Sequence, residues 1–202
     1  MPSRPLLSRR LLLSAAAVLF VGAGARAAAP IKAEGVTFAG SATVAGQALE
    51  LNGVGLRAVA WIKGYAAGLY LARKASTPAL VYAQNGAKRL RLVMLLDVDA
   101  EEFVKAFHKG VDRNTAPTDL PRLTERMARF DSVVRSLAKL KKKDVIDLDF
   151  VPDRGLQLTY NGALRGDAIP GEDLYAALLR CFIGEKPVDA ELKAGLLGGP
   201  VG

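Results

Sequence analysis

The sequence predicts an α+β fold in which helices cover one face of an antiparallel sheet. Strand patterns are grouped mainly over residues 36–98 and again over 144–160, and most helical patterns lie between and after them. This grouping differs from the strict strand–helix alternation that is typical of parallel sheets. The chain of 202 residues contains neither an internal repeat nor a long linker, so we expect a single domain over residues 28–202.

The first half of this domain is predicted to be mainly strand. Residues 36–53 are typical of short strands separated by glycine turns. Residues 55–72 are interpreted as one long or bent strand, in which Gly64 and Gly68 mark positions for a bulge. Residues 88–98 alternate and have one entirely apolar face, which predicts a further strand.

Helical patterns begin at three points in the middle of the chain. Thr77-Pro78 opens a short one, and Asp99-x-x-Glu102 resembles a capping box at the start of another. A longer helix follows Pro121, with an apolar residue at every third or fourth position. The basic run K-L-K-K-K (139–143) is interpreted as favourable charge at the C-terminus of that helix, with an anion-binding patch as the alternative.

The last quarter of the chain combines a hairpin with two helices. Strands are expected over 144–151 and 155–160, joined by the turn P-D-R-G and followed by an Asn-Gly turn. Helices are expected over 172–183 and 190–197.

The first 27 residues have the pattern of a cleavable export signal. A basic stretch that ends in S-R-R (8–10) precedes a short apolar run (11–25) and an Ala-x-Ala-like site. We expect cleavage after Ala27, with Ala29 as the alternative, and therefore a periplasmic protein without a membrane span. An uncleaved anchor is less favoured because the run is short for a bilayer. The paired arginines resemble a twin-arginine signal, and general secretory signals also contain such pairs.

The net charge does not indicate a nucleic-acid partner. The whole chain carries 28 basic and 20 acidic residues, a formal charge of +8. The predicted signal holds four arginines and no acid, so removing it leaves 24 basic against 20 acidic residues, or +4. Apart from residues 139–143, the basic residues are scattered, whereas nucleic-acid binding needs a clustered basic face.

Familiar catalytic and metal-binding arrangements are absent from the sequence. His108 is the only histidine, so we expect no metal site and no activated serine or cysteine nucleophile. No nucleotide-binding glycine motif occurs, and no cofactor is predicted. Asp147 and Asp149 are interpreted as residues of a solvent face. Cys181 is the only cysteine and is expected to be a buried, inert thiol.

Arg57 and Tyr65 are the candidate binding residues within the apolar stretch 54–71. They are eight positions apart, so on a continuous strand both would point to the same face, together with Trp61 and Lys63. A guanidinium and a phenol can both donate hydrogen bonds to a carboxylate. The alternative is that Arg57 and Lys63 extend from a solvent face, and the residues alone do not decide between the two.

Several motifs resemble those of the chalcone isomerase-like family. G-V-G-L-R (53–57) and G-Y-A-A-G-L-Y-L (64–71) are similar to the paired core motif of these proteins. The similarity extends through L-L-D-V-D-A-E-E-F (95–103) and G-L-Q-L-T-Y-N-G (155–162) to L-Y-A-A-L-L-R-C-F-I-G-E-K-P-V (174–188). It covers nearly the whole chain after the signal and is closest to the exported bacterial branch.

The resemblance implies an open-faced β-sandwich, in which a large antiparallel sheet packs on a layer of helices with a ligand cleft between them. In plant chalcone isomerases, an arginine, a threonine and a tyrosine at this cleft assist ring closure. The arginine corresponds to Arg57, the threonine to Tyr65, and the tyrosine to Phe103, which has no hydroxyl. An asparagine further along the helix corresponds to Gly110. Members of the family without isomerase activity are known as fatty-acid binders.

We therefore expect a non-catalytic binder of a small apolar ligand, such as a fatty acid or an aromatic acid. Arg57 would hold the anion, Tyr65 would donate a hydrogen bond, and Trp61 and Phe103 would supply apolar wall. The first alternative is an isomerase or intramolecular lyase, which needs another hydroxyl from Tyr70 or Tyr160. The second alternative is a periplasmic interaction protein with a vestigial cleft, in which an internal acid would pair with Arg57.

Overall fold

The computed structural model describes residues 28–59 and 62–201 and is built around one seven-stranded antiparallel sheet with helices on one face. The predicted export signal, residues 1–27, lies outside the described residues. In the described part of the chain, no helix combines the length and the apolar character needed to cross a membrane.

The elements follow one another along the chain in this order: β1 (Ile31–Ala33), β2 (Val36–Phe38), β3 (Ser41–Val44), β4 (Gln47–Val59), β5 (Ile62–Leu71), α1 (Pro78–Tyr82), β6 (Lys88–Met94), β7 (Val98–Asp99), α2 (Ala100–Asn114), α3 (Leu120–Arg135), β8 (Lys139–Leu140), β9 (Val145–Val151), β10 (Gly155–Tyr160), β11 (Ala163–Ile169), α4 (Glu172–Ile183) and α5 (Ala190–Leu196). The spatial order in the large sheet is β11-β10-β9-β6-β5-β4-β3. The ribbons β1–β2 and β7–β8 are separate two-stranded sheets. This α+β architecture agrees with the predicted fold.

The two faces of the sheet bury two different cores. On one face, alternate residues such as Leu69, Leu90 and Leu92 pack against α2, α3 and α4 in the larger cluster. On the opposite face, Phe38 of the β1–β2 ribbon packs on the sheet and is completely buried. Burial of one such side chain stabilises the fold by about 1.5–3 kcal/mol. The candidate cleft lies on the helix-covered face.

Gly68 provides the space for Phe38. A Cβ atom at Gly68 would lie 2.6 Å from Cδ1 of the Phe38 ring, which is closer than two carbons pack. Gly68 therefore allows Phe38 to pack closely against a regular strand. It does not form the expected bulge, since the register of β4 with β5 is continuous at this residue.

The prediction of one strand over residues 55–72 was wrong. This stretch contains the end of β4 and all of β5, which form an antiparallel hairpin in which Leu56 pairs with Ala66 and Gly55 with Ala67. The connecting residues 60 and 61 lie outside the described residues. Apolar residues continue through the stretch without an Asn-Gly or Pro-Gly signal, so the sequence pattern gave no reason to divide it.

Three further local expectations are corrected. The strand predicted over 88–98 ends at Met94, and residues 98–99 instead pair with 139–140. The basic run at 139–143 therefore contains a short strand and does not close α3, which ends at Arg135. Asp99 precedes α2 but its side chain makes no capping hydrogen bond, so no capping box forms.

Asp147 and Asp149 are buried, which contradicts their assignment to a solvent face. Arg89 on β6 forms two hydrogen bonds with Asp149 on β9, at 2.7 and 2.6 Å. Arg91 binds Asp147 in the same bidentate way, at 2.7 and 2.8 Å. The strand register places each arginine directly opposite its aspartate. Pairing within the sheet is what allows these carboxylates to be buried.

Candidate ligand-binding site

Arg57 and Tyr65 lie side by side on the helix-covered face of the sheet. They are direct partners in the β4–β5 hairpin register. Both residues therefore share a face, as expected, but they do so through cross-strand pairing and not through even spacing along one strand. Directly opposite residues of an antiparallel pair have Cβ atoms about 4.5–5.5 Å apart, which is close enough for one ligand group to contact both side chains.

Arg57, Tyr65 and Phe103 line one cavity between the sheet and the helices, with a volume of about 130 Å³. The structure thus brings together three of the four residues predicted to form the site. Apart from Arg57, Tyr65 and the Cys181 thiol, the lining side chains are apolar. They include Phe107 from α2, Leu148 from β9, Leu178 and Phe182 from α4, and Val188.

The size of the cavity restricts what it can enclose. A dry apolar cavity of about 150 Å³ holds one benzene ring. The cavity of about 130 Å³ is therefore large enough for an acid group with a few carbon atoms or a small ring. A longer acyl chain would extend beyond the enclosed volume.

Tyr65 is a neutral hydrogen-bond donor in this cavity. Burial raises the pKa of its phenol above the ordinary value, and the nearby Arg57 opposes part of that shift. The Tyr65 ring packs edge-on against Phe182, with ring centroids 6.4 Å apart. Within the described part of the chain, the Tyr65 hydroxyl makes no hydrogen bond to a protein group. The hydroxyl is therefore available to a ligand.

Arg57 is held by the protein through one of its nitrogen atoms. Its Nη1 donates to the carbonyl oxygen of Ala58 and lies 3.3 Å from Oδ2 of Asp189. The side chain remains 25% exposed. Its other guanidinium nitrogens have no hydrogen-bond partner among residues 28–59 and 62–201, so they can donate to an anion.

Asp189 links Arg57 to the start of α5. It is the N-cap residue of this helix, and its Oδ1 accepts hydrogen bonds from the backbone N–H groups of Glu191 and Leu192, at 2.9 and 3.0 Å. Its Oδ2 faces Arg57 and also accepts from the N–H of Ala58, at 3.4 Å. One carboxylate thus caps a helix and faces the cation of the cavity.

The glycines of G-V-G-L-R explain how α5 reaches this position. A Cβ atom at Gly55 would lie 2.5 Å from the carbonyl oxygen of Leu192, and one at Gly53 would lie 2.1 Å from that of Gly195. Only glycine at these two positions lets the backbone of α5 approach β4 so closely. The buried side chain of Asn52 adds a hydrogen bond of 2.7 Å to the carbonyl oxygen of Leu196. Close helix packing therefore places Asp189 beside Arg57.

Gly110 and Cys181 form the contact between α2 and α4 at the cavity. A Cβ atom at Gly110 would lie 2.7 Å from the sulfur of Cys181. An asparagine, which the family resemblance implies here in plant isomerases, does not fit at this helix spacing. Burial raises the pKa of the Cys181 thiol to about 12, so this lining group is an uncharged, unreactive thiol.

The remaining candidate residues lie away from the cavity or outside the described residues. Trp61 lies outside the described residues. Lys63 pairs with Glu34 at 2.6 Å on the surface. The Tyr70 hydroxyl is buried on the opposite face of the sheet and has no hydrogen-bond partner among the described residues. Tyr160 donates to Asp144. Neither of these two tyrosines supplies a hydroxyl to the cavity.

A metal centre is not found among residues 28–59 and 62–201, where no group of three metal-binding side chains converges. His108 binds Asp131 instead, with its Nε2 at 2.8 Å from Oδ2.

The fold and the cavity define a helix-covered antiparallel sheet with a small apolar cleft and one arginine–tyrosine pair. The sequence model of the family described as chalcone isomerase-like matches residues 30–198, and the chain belongs to this family. A solved structure of a fatty-acid binding protein from Arabidopsis thaliana has the same fold, with a TM-score of 0.63 and 18% sequence identity. That match covers 83% of this chain and 95% of the Arabidopsis chain. No curated protein sequence matches the chain significantly.

Proposed function

We propose that this protein binds a small apolar acid in the cleft between sheet and helices, without transforming it. The observation that carries the proposal is the pairing of Arg57 with Tyr65 at an otherwise apolar cavity. The acid group would accept hydrogen bonds from the guanidinium and the neutral phenol, and the hydrocarbon part would contact Phe103 and Phe182. Hydrogen bonds to a charged group stabilise by about 1.5–3 kcal/mol each, so these two donors would determine the orientation of the ligand.

The similarity to the Arabidopsis structure supports an acyl acid as the ligand class, since that protein is named as a fatty-acid binding protein. Because the enclosed volume is about 130 Å³, a short or medium-length acid suits it better than a long one. The presence of Phe103 where the isomerases have a tyrosine supports binding over catalysis. The export signal pattern in residues 1–27 supports a periplasmic location for this binding.

Calorimetric titration of the purified protein with decanoate and with decanol tests this proposal. The acid group and the first carbon atoms of decanoate would lie in the enclosed volume, and the rest of its chain would extend beyond it. Decanoate should bind more tightly than decanol, because only the acid engages Arg57. In Arg57→Gln the preference should disappear, with decanoate affinity falling about 10- to 100-fold. Arg154→Gln, at an exposed turn outside the cleft, is the matched control and should bind like the wild type. Equal decanoate binding in Arg57→Gln and wild type would refute the proposal.

Native mass spectrometry provides an independent test with the ligand acquired in the cell. Protein purified from the periplasm should carry a bound acid, and Arg57→Gln should carry less of it. An unchanged ligand load in this variant would contradict the role of Arg57.

The second candidate is an interaction protein with a vestigial cleft, and one observation favours it. Arg57 is paired internally with Asp189, as that hypothesis requires. Two features favour ligand binding over it: the pair uses a single arginine nitrogen, and the cavity beside it remains open. Failure of both decanoate and decanol to bind would favour the interaction protein.

A further inference from the structure

A second cavity, of about 700 Å³, lies at the C-terminal ends of α2 and α4 and next to α1 and α5. None of its lining residues lines the proposed ligand cleft. We call this cavity the basic groove and define it by the residues Tyr82, Arg113, Thr115, Arg180, Lys186 and Lys193. No part of the proposed function depends on it.

The basic groove carries a clear excess of positive charge. Four cations line it, and Glu185 is the only acid among its lining residues. None of the four cations lies within 4 Å of a carboxylate of residues 28–59 or 62–201. The C-terminal ends of α2 and α4 each contribute roughly half a negative charge. These contributions and Glu185 together offset about half of the charge of the four cations, so the groove attracts anions.

Two buried hydroxyls belong to the wall of the groove. Oη of Tyr82 and Oγ1 of Thr115 are shielded from solvent and have no hydrogen-bond partner in the described part of the chain. Burial raises the pKa of Tyr82 to about 12, against the influence of Arg180, so the phenol keeps its proton. Buried hydroxyls without partners are rare in native proteins, and a water molecule or a ligand oxygen would complete each of these two.

Arg180 is positioned to bind an anion through the edge of its guanidinium. Its central carbon lies 5.8 Å from the centre of the Tyr82 ring, over the ring face. No hydrogen bond joins the guanidinium of Arg180 to a protein group in the described part of the chain, so its in-plane N–H donors are free. This fork of donors matches the oxygen atoms of a phosphate or carboxylate.

The framework of the groove is rigid before any anion binds. The Nδ2 atom of Asn114 donates to the carbonyl oxygens of Gly110 and Lys186, and its Oδ1 accepts from the N–H of Lys186. A Cβ atom at Gly184 would lie 2.7 Å from Oδ1 of Asn114, so glycine is needed for this contact. Lys193 donates to the carbonyl oxygen of Gly184 at 2.8 Å, which leaves two of its N–H donors free.

We propose that the basic groove binds a phosphate group. Four cations at one cavity suit a multivalent anion better than a single carboxylate, and Tyr82 and Thr115 add neutral donors to the wall. The phosphate would belong to a free phosphorylated molecule or to a lipid headgroup, and the two sources share this chemistry.

Titration of the ¹⁵N-labelled protein with inorganic phosphate, followed by NMR, tests the proposal. Shifts should be confined to the backbone around residues 77–82, 113–116, 180–186 and 193. In Arg113→Gln/Arg180→Gln the affinity should fall at least tenfold, in line with the loss of two charge-assisted contacts. Arg154→Gln should bind phosphate within about twofold of wild type, since its side chain is exposed elsewhere. Absence of shifts at millimolar phosphate, or equal binding in the double variant, overturns the proposal.

Tyr82→Phe separates a binding role from a structural one. The variant removes a hydroxyl that has no protein partner, so it should unfold at the same temperature as wild type or a higher one without phosphate. The increase in unfolding temperature on adding phosphate should be smaller in the variant. An equal phosphate-induced increase in both proteins would contradict the role assigned to Tyr82.

A vesicle assay distinguishes the two sources of phosphate. Glycerol phosphate binding with the same residue dependence indicates a free phosphorylated molecule. Recruitment to phosphatidylglycerol vesicles that is lost in Arg113→Gln/Arg180→Gln, by a protein that binds inorganic phosphate but not glycerol phosphate, indicates a lipid headgroup. Either result supports the proposal. Failure in both assays overturns it.

Discussion

Arg57 and Asp189 lie 132 positions apart in the sequence, yet the Nη1 atom of one is 3.3 Å from Oδ2 of the other. The pair joins the sheet to the first turn of α5, because Asp189 also caps that helix. A carboxylate ligand in the cleft would meet an arginine that already has a carboxylate beside it. The proposed affinity therefore depends on how strongly Asp189 competes for the guanidinium.

Replacing Asp189 with asparagine should strengthen acid binding. Asparagine caps helices about as well as aspartate, so α5 should remain in place and the free energy of unfolding should change little. Removing the negative charge leaves the guanidinium of Arg57 without an internal counterion. We expect the affinity for decanoate to rise by about three- to tenfold, as measured by calorimetry, because near-surface charge pairs are worth about 1 kcal/mol.

Asp173→Asn is the control for this experiment. Asp173 lies in the first turn of α4 and pairs with Arg126, outside the cleft. Its replacement should leave decanoate binding unchanged. Weaker binding in Asp189→Asn would show that Asp189 positions Arg57 for the ligand and does not compete with it.

Gly55→Ala tests whether close packing of α5 is what places Asp189. The new Cβ atom would lie 2.5 Å from a backbone oxygen of Leu192, so α5 must move away from β4. We expect the free energy of unfolding in urea to fall by about 1–3 kcal/mol, the usual cost of overpacking. Gly64→Ala is the matched control, since its Cβ would meet nothing closer than 3.6 Å. Equal stability of the two variants would refute this account.

Much of the architecture follows from local sequence signals. Helices α4 and α5 lie where apolar periodicity predicts them, and Asn161-Gly162 forms the expected turn with both residues at positive φ. The hairpin of β4 and β5 was missed because the two strands follow one another within a continuous apolar stretch. The strand β11 was also missed, since most of its residues are exposed and show no apolar alternation.

The sequence predicted which residues form the site, but not which partners surround them. Tyr65 and Phe103 line the same cavity as Arg57 because β5 and α2 both flank the cleft. The family resemblance predicted this shared site, whereas the residue pattern alone left open whether Arg57 faces a pocket or solvent. Asp189 was missed, because nothing in its local sequence distinguishes it from any other helix cap. Asp147 and Asp149 were misplaced for a related reason: their partners Arg89 and Arg91 become neighbours only once β6 and β9 pair.

The protein should not accelerate ring closure of a chalcone. A chalcone carries two aromatic rings, whereas the cavity of about 130 Å³ encloses roughly one. Phe103 also lacks the hydroxyl that the isomerases have at this position. Absorbance measurements with wild type and Phe103→Tyr should both give the spontaneous rate. Turnover above that rate by the wild type would contradict the proposal of a non-catalytic binder.

Cys181 should be almost inert to iodoacetamide in the folded protein. Because burial raises the pKa of its thiol to about 12, only about one molecule in ten thousand carries the thiolate at pH 8. Labelling should become fast in urea, where the pKa returns to about 8.5. Mass spectrometry measures both rates. Rapid labelling without urea would show that α2 and α4 separate readily at the Gly110 contact.

Asp149→Asn should destabilise the sheet, because it leaves the guanidinium of Arg89 buried beside a neutral amide, with the carboxylate of Asp147 still 3.7 Å away. Both side chains are less than 15% exposed, and removing one member of such a pair costs about 3 kcal/mol or more. Glu101→Gln breaks a pair with Arg135 in which both side chains are half exposed, and should change stability little. The double replacement Arg89→Met/Asp149→Leu should recover most of the loss, since it leaves no buried charge unpaired. Urea unfolding of the three variants checks this order, and a double variant as unstable as Asp149→Asn would contradict it.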